Sequence, residues 1–120
     1  MILTLLKAKI HRATVTQCDL DYEGSISIDA TLMKKAGIVD YERVDVLDIT
    51  NGARFTTYAI PARAGSGIIG INGAAAHLAH VGDLVIIVAY VGLTPAEAKK
   101  HKPIIVQVDN ANRVRGPKRA

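Results

Sequence analysis

A glycine-serine step, Gly24-Ser25, follows the acidic Glu23 and opens the alternating run Ser25-Ile26-Ser27-Ile28-Asp29. Such a step carries latent chemistry. Where the backbone is held in a strained turn, a serine hydroxyl can attack the carbonyl of the preceding glycine, because glycine permits dihedrals closed to other residues and leaves its carbonyl accessible. The shift from nitrogen to oxygen gives an ester. β-Elimination of that ester would release residues 1–24 and leave a dehydroalanine, which hydrolyses to a pyruvoyl group at a new N-terminus. Gly-Ser is also an ordinary turn dipeptide, so by itself the step is equally an uneventful bend.

Three further groups could support chemistry. Lys9, His11 and Ala13 fall on one face of a first strand, which sets an ammonium beside an imidazole. Arg54, Thr56 and Tyr58 share a face of a later strand, with Arg54 suited to binding a carboxylate, Tyr58 to proton transfer, and Thr57 between them in sequence. Asn72-Gly73-Ala74-Ala75-Ala76 could present backbone N–H groups at a helix start, where anions are favoured. Each group also reads as an exposed strand face or a helix end.

Other patterns lead nowhere. Gly65-Ser66-Gly67-Ile68-Ile69-Gly70 spells a dinucleotide-binding fingerprint, but that fingerprint needs a following helix and an acid about 20 residues on, whereas Ile68 begins a strand and position 90 is Tyr90. A flexible glycine loop is the better reading. His77 and His80 have metal-like spacing with no nearby acid to complete a ligand set, so no metal is expected. His101 sits among lysines as a solvated side chain.

The elements that must carry these residues are mostly strands. Alternation marks strands over 3–10, 43–50, 54–60, 68–71, 83–90 and 103–108. Asn51-Gly52 predicts a two-residue hairpin with positive φ at both positions. Helices are short: Asp29 caps one over 30–36 that ends at Gly37, a second covers 74–79, and Thr94-Pro95-Ala96-Glu97 forms a capping box for a third. Many short strands with small helices between them predict a mainly β, single-domain barrel.

Composition bounds the reading. With 120 residues, 49% hydrophobic and 22% charged, the chain is a soluble globular domain, small for an enzyme that must enclose a substrate unaided. The net charge of +4 resides in Arg113, Arg115, Lys118 and Arg119, which leaves eleven basic and eleven acidic residues elsewhere. Residues 111–120 therefore read as a flexible basic tail, not as a nucleic-acid site. The single cysteine, Cys18, excludes an intramolecular disulfide, and the ten-residue apolar run 84–93 cannot span a bilayer as a helix. A cytoplasmic protein without nucleic-acid or membrane partners is expected.

Taken together, Tyr22-Glu23-Gly24-Ser25, Lys9 and His11 before it, Asn51-Gly52 with Arg54 and Thr57-Tyr58-Ala59-Ile60, Asn72 to His77, and Val81-Gly82-Asp83 resemble the pyruvoyl-dependent aspartate 1-decarboxylases. The resemblance extends from residue 1 to about residue 95 and leaves the last ten residues without a counterpart. It implies a double-ψ β-barrel, a homotetramer with sites between subunits, and self-cleavage into 1–24 and 25–120. It also implies conversion of L-aspartate to β-alanine and CO2, for pantothenate synthesis, through a Schiff base on a pyruvoyl group made from Ser25. By the same resemblance Tyr58 donates a proton, and Lys9, Arg54, Thr57, Asn72, Gly73, Ala74 and Ala75 bind substrate. Thr57 steadies the cleavage oxyanion, and His11 and Tyr22 support. The competing reading is a non-catalytic small β-barrel, a regulator or nucleic-acid-binding module.

Overall fold

The computed structural model describes residues 1–116, so Lys118 and Arg119 of the expected tail lie outside the described residues. Eight strands and two short α-helices follow in the order β1 (Leu3–Thr14), β2 (Gln17–Asp19), β3 (Ser25–Asp29), α1 (Ala30–Ala36), β4 (Arg43–Asp48), β5 (Arg54–Ala62), β6 (Ile69–Asn72), β7 (Leu84–Leu93), α2 (Pro95–Ala98) and β8 (Ile104–Gln107). A 3₁₀-helix, Gly73–His77, lies between β6 and β7.

The strands pair in the order β2-β6-β3-β5-β4-β7-β1-β8. The row closes on itself because β2 continues β1. Val15 N–H donates to Asp83 O ahead of β7, and one residue later Thr16 N–H donates to Ile69 O on β6. One stretch of chain thus leaves β7 for β6 and completes a ring of which β8 is an outer flank. The ring, with parallel pairs β2–β6 and β3–β5 among antiparallel ones, is a double-ψ β-barrel.

Branched aliphatic residues fill the interior. Ile10, Ile26, Ile28, Val44, Val46, Ile69, Ile71, Val85 and Ile87 are fully buried; each such side chain contributes about 1.5–3 kcal/mol by leaving water. On β4 the alternation predicted from sequence holds, with Val44 and Val46 inside and Asp45 and Leu47 half-buried.

Local signals set the helix ends. The Asp29 carboxylate accepts from Thr31 N–H at the head of α1, Gly37 ends that helix at φ 71°, and Thr94 and Glu97 form the expected capping box of α2. The expected helix over 74–79 is instead the single 3₁₀ turn.

Five further expectations change. Asn51-Gly52 is not a two-residue turn, since only Gly52 has positive φ (79°). The Asp48 carboxylate accepts from the Thr50 and Asn51 amides at 2.9 and 3.1 Å and widens the loop, which closes where Asp48 N–H donates to Ala53 O. Ala13 does not share a face with Lys9 and His11, because β1 shifts register between Ile10 and Ala13, Arg12 takes φ 64°, and Ala13 turns into the core.

The glycine loop is pinned. Asp29 accepts from the Gly65 and Gly67 amides, both at 2.9 Å, which also occupies the donors a phosphate would need. Finally, residues 111–116 do not behave as a tail. Asn112 is 2% exposed, accepts from Thr14 N–H at 2.7 Å and donates to Thr14 O and Gly67 O at 2.8 Å, while Val114 bridges Val108. His101 is likewise tied down, its Nε2 lying 2.6 Å from Leu6 O.

Candidate active site

The Gly24–Ser25 bond straddles the surface. Gly24 is exposed, whereas Ser25 opens β3 at 1% exposure. Ser25 pairs with Asn72 at the end of β6, and the buried Asn72 carboxamide donates to Ser25 Oγ and to Ser27 Oγ, both at 3.0 Å. Ser25 Oγ in turn donates to Glu23 O at 3.3 Å. A buried hydroxyl next to an exposed glycine is therefore held by two partners on different elements. Ser27 was not singled out in the sequence, although the alternation Ser25-Ile26-Ser27 already set both hydroxyls on one face.

Gly24 itself carries no left-handed strain, and a Cβ built on it would meet nothing within 4 Å. The tight point lies opposite. Gly73 has φ 71°, and a Cβ there would stand 2.7 Å from Gly24 Cα, 2.8 Å from Gly24 N and 3.1 Å from Tyr22 O. Gly73 and the Ala74-Ala75 turn after it thus border the Gly24–Ser25 junction, with Tyr22 exposed beside them.

Strand β5 runs along the other side of β3. Parallel register pairs Ile26 with Ala59, the residue that follows Thr57 and Tyr58 on β5. The Tyr58 ring lies 6.4 Å from that of Tyr41. Ser25, Asn72 and Gly73 meet at the Gly24–Ser25 junction.

Lys9, His11 and Arg54 lie elsewhere on the barrel wall. Lys9 pairs with Val88, Val88 with Asp45 and Asp45 with Thr56, which sets Lys9 three strands from β5 along the barrel wall. Arg54 is exposed and lies four residues, roughly 13 Å, along β5 from Tyr58. Its row passes through Leu47 and Ile86 to the bulge at His11 and Arg12. Burial first, then the Lys9 and Arg12 charges, push the His11 imidazole below its ordinary value, and its Nδ1 is buried without a partner among the described residues. His11 is thus biased toward its neutral form with an unused ring nitrogen, and it shares a cavity with Arg12, Asp109 and Arg115.

No group of side chains among the described residues could hold a metal ion, and His77 and His80 remain unassociated with an acid set. His80 Nδ1 only approaches Asp83 at 3.9 Å.

Fold and site together define a small double-ψ β-barrel enzyme with a serine-centred site. The chain belongs to the aspartate decarboxylase family, whose model matches residues 1–115. That span includes β8 and Asn112, so the likeness reaches well beyond residue 95. Aspartate 1-decarboxylase of Maricaulis maris is 60% identical over 95% of this chain and 94% of its own length. The Caulobacter vibrioides protein of the same name is 58% identical over 96% and 98%. A crystal structure of a rationally designed protein overlaps 64% of this chain and 90% of its own at 16% identity and a TM-score of 0.49, too partial a likeness to bear on the fold.

Proposed function

We propose that this chain cleaves itself between Gly24 and Ser25, converts Ser25 into a pyruvoyl group, and uses that group to decarboxylate L-aspartate to β-alanine and CO2 in the cytoplasm, at sites shared between the subunits of a homotetramer. The observation that carries the reading is the buried Ser25 hydroxyl, fixed by Asn72 next to the exposed Gly24, in a chain of this family.

In cleavage, Ser25 Oγ bonds to the Gly24 carbonyl carbon, the Gly24–Ser25 C–N bond breaks, and the hydroxyl proton passes to the freed nitrogen. Loss of the Ser25 α-proton then expels the Gly24 carboxylate. Water replaces the nitrogen, which leaves as ammonia. Thr57, two residues before Ala59 on β5, is the donor for the carbonyl oxygen as it gains charge; such a donor contributes roughly 10² to 10³ in rate.

The pyruvoyl ketone supplies an amine-reactive electron sink, so what remains for the side chains is binding and proton transfer. Tyr58, which precedes Ala59 on β5, donates a proton to the carbon that CO2 leaves. Asn72 orients the group at position 25, and Gly73, Ala74 and Ala75 line the approach. Two carboxylates require cations, which Lys9 and Arg54 provide. Because Lys9 lies three strands and Arg54 four residues along the wall from the Tyr58 region, a neighbouring copy is taken to bring them, with His11, to the Ser25 group.

Intact-mass measurement tests this. Fragments 1–24 and 25–120, with the larger one blocked to Edman degradation and carrying a borohydride-reducible carbonyl, are expected. An intact chain under maturing conditions, or full decarboxylase activity in Ser25→Ala, would overturn it.

A further inference from the structure

We propose that Gly73 is a positioning residue for self-cleavage: its missing side chain is the space into which the segment Tyr22–Gly24 closes, and that closure fixes the angle at which the Gly24 carbonyl faces Ser25 Oγ. The inference rests on the reading that the Gly24–Ser25 bond is cleaved.

The asymmetry between the two glycines carries the argument. Glycine at 24 is required by neither φ nor space, since a Cβ there meets nothing within 4 Å. Glycine at 73 is required by both, with φ 71° and backbone atoms of Gly24 at 2.7 and 2.8 Å from a Cβ position. Ordinary carbon contacts are about 3.5 Å, so an added methyl must drive residues 22–24 back by roughly 0.8 Å. Flexible side chains could turn aside, but the atoms in the way are backbone.

Ser25 cannot follow that retreat. Its backbone is paired to Asn72, its hydroxyl is held by the Asn72 carboxamide, and Ile26 and Ile28 beyond it are sealed in the core. The Gly24 carbonyl carbon is bonded to Ser25 N and cannot withdraw bodily, so displacement of Gly24 N and Cα turns the carbonyl about the Ser25 N–Cα bond and away from the line of attack by Oγ. Displacement of reacting atoms by about 1 Å costs on the order of 10²-fold in rate.

The test compares wild type with Gly73→Ala, Gly73→Asn and Gly82→Ala. Asparagine tolerates left-handed φ better than alanine but adds the same Cβ, so it preserves the clash should alanine fail to fold. Gly82 has φ 94° with open space around it, which makes Gly82→Ala a control for backbone strain alone. Melting temperature establishes folding, appearance of fragment 25–120 gives the cleavage rate, and hydroxylamine scission reports the ester.

Expected results are a loss of about 10²-fold in cleavage rate for folded Gly73→Ala or Gly73→Asn, with no hydroxylamine-sensitive ester accumulating, and wild-type cleavage in Gly82→Ala. Cleavage of both Gly73 variants at the wild-type rate would overturn the inference, as would ester accumulation in them, because the defect would then lie after the attack. Equal loss in Gly82→Ala would reduce the effect to strain. Failure of wild type to cleave would instead remove the reading on which the inference stands.

Discussion

Asn72 holds Ser25 and Ser27 at once, its carboxamide nitrogen lying 3.0 Å from each hydroxyl oxygen. The bond to Ser27 orients the amide, so the bond to Ser25 has a fixed direction and the Ser25 hydroxyl is confined to the side facing Glu23 O. Asn72→Ala should leave two hydroxyls short of a partner and Ser25 free to rotate. Cleavage is expected to slow by roughly 10²-fold, the cost of a mispositioned reacting group, while stability falls by only about 1–3 kcal/mol. A time course of fragment 25–120 beside a denaturant titration measures both, and unchanged cleavage would remove Asn72 from this role.

Separation of Lys9 and Arg54 from the Tyr58 region predicts complementation between subunits. Tyr58→Phe should form cleaved protein with turnover lowered by roughly 10² to 10⁴, and Arg54→Ala should raise KM for aspartate most. Co-expressed in one oligomer, the two variants should recover activity that neither has alone, since some sites would then combine an intact Tyr58 with an intact Arg54. Assay of purified mixed oligomers carrying two different tags decides the matter; absence of recovery would place the whole site within one chain.

Asp48 and Asp83 predict a loss of stability as pH rises past the usual carboxylate range. Both are buried, and among the described residues Asp48 Oδ2 accepts no hydrogen bond from a fixed donor, the Asp83 carboxylate being its neighbour. Burial and the proton shared with Asp83 push Asp48 above the usual carboxylate range, against the pull of the Asn51 and Thr50 amides. Asp83 is held below that range, first by the Asp48 hydrogen bond and, against its own burial, by the His80 amide. Asp48, raised in the folded state, contributes stability that is complete below its unfolded value and disappears as pH rises through the folded value. Asp83, lowered, contributes above its unfolded value and loses that as pH falls through its depressed one. Wild type should therefore lose melting temperature as Asp48 ionises, whereas Asp48→Asn, whose amide can donate to Asp83, should be flatter across that window. Parallel pH profiles of melting temperature for the two proteins would refute the shared proton.

What could be read from the chain alone followed the range of the forces involved. Helix caps at Asp29 and Thr94 and the alternation of Val44 and Val46 are local, and sequence displays them. Asn51-Gly52 misled because its turn is decided by the Asp48 side chain three residues away. Ala13 misled because the bulge at Arg12 has no signature of its own: a non-glycine residue at φ 64° is imposed by pairing with β7. Asn112 looked like part of a charged tail, yet its partners Thr14 and Gly67 are distant in sequence. At the site, Ser25, Thr57, Tyr58 and Asn72 were legible as types and spacing, but the clearance at Gly73 exists only where two loops meet.

Strands β1 and β2 lie before position 25, and together they are the segment that closes the barrel ring. Cutting the chain at that point would leave the smaller piece built into the wall, clasped by β7 and β8 along β1 and by β6 along β2. Before the cut, unfolding and refolding concern one molecule and do not depend on concentration. After it, the same barrel becomes a two-component assembly. Dilution then opposes its recovery, and a molecule melted once would have to find its first 24 residues again in solution.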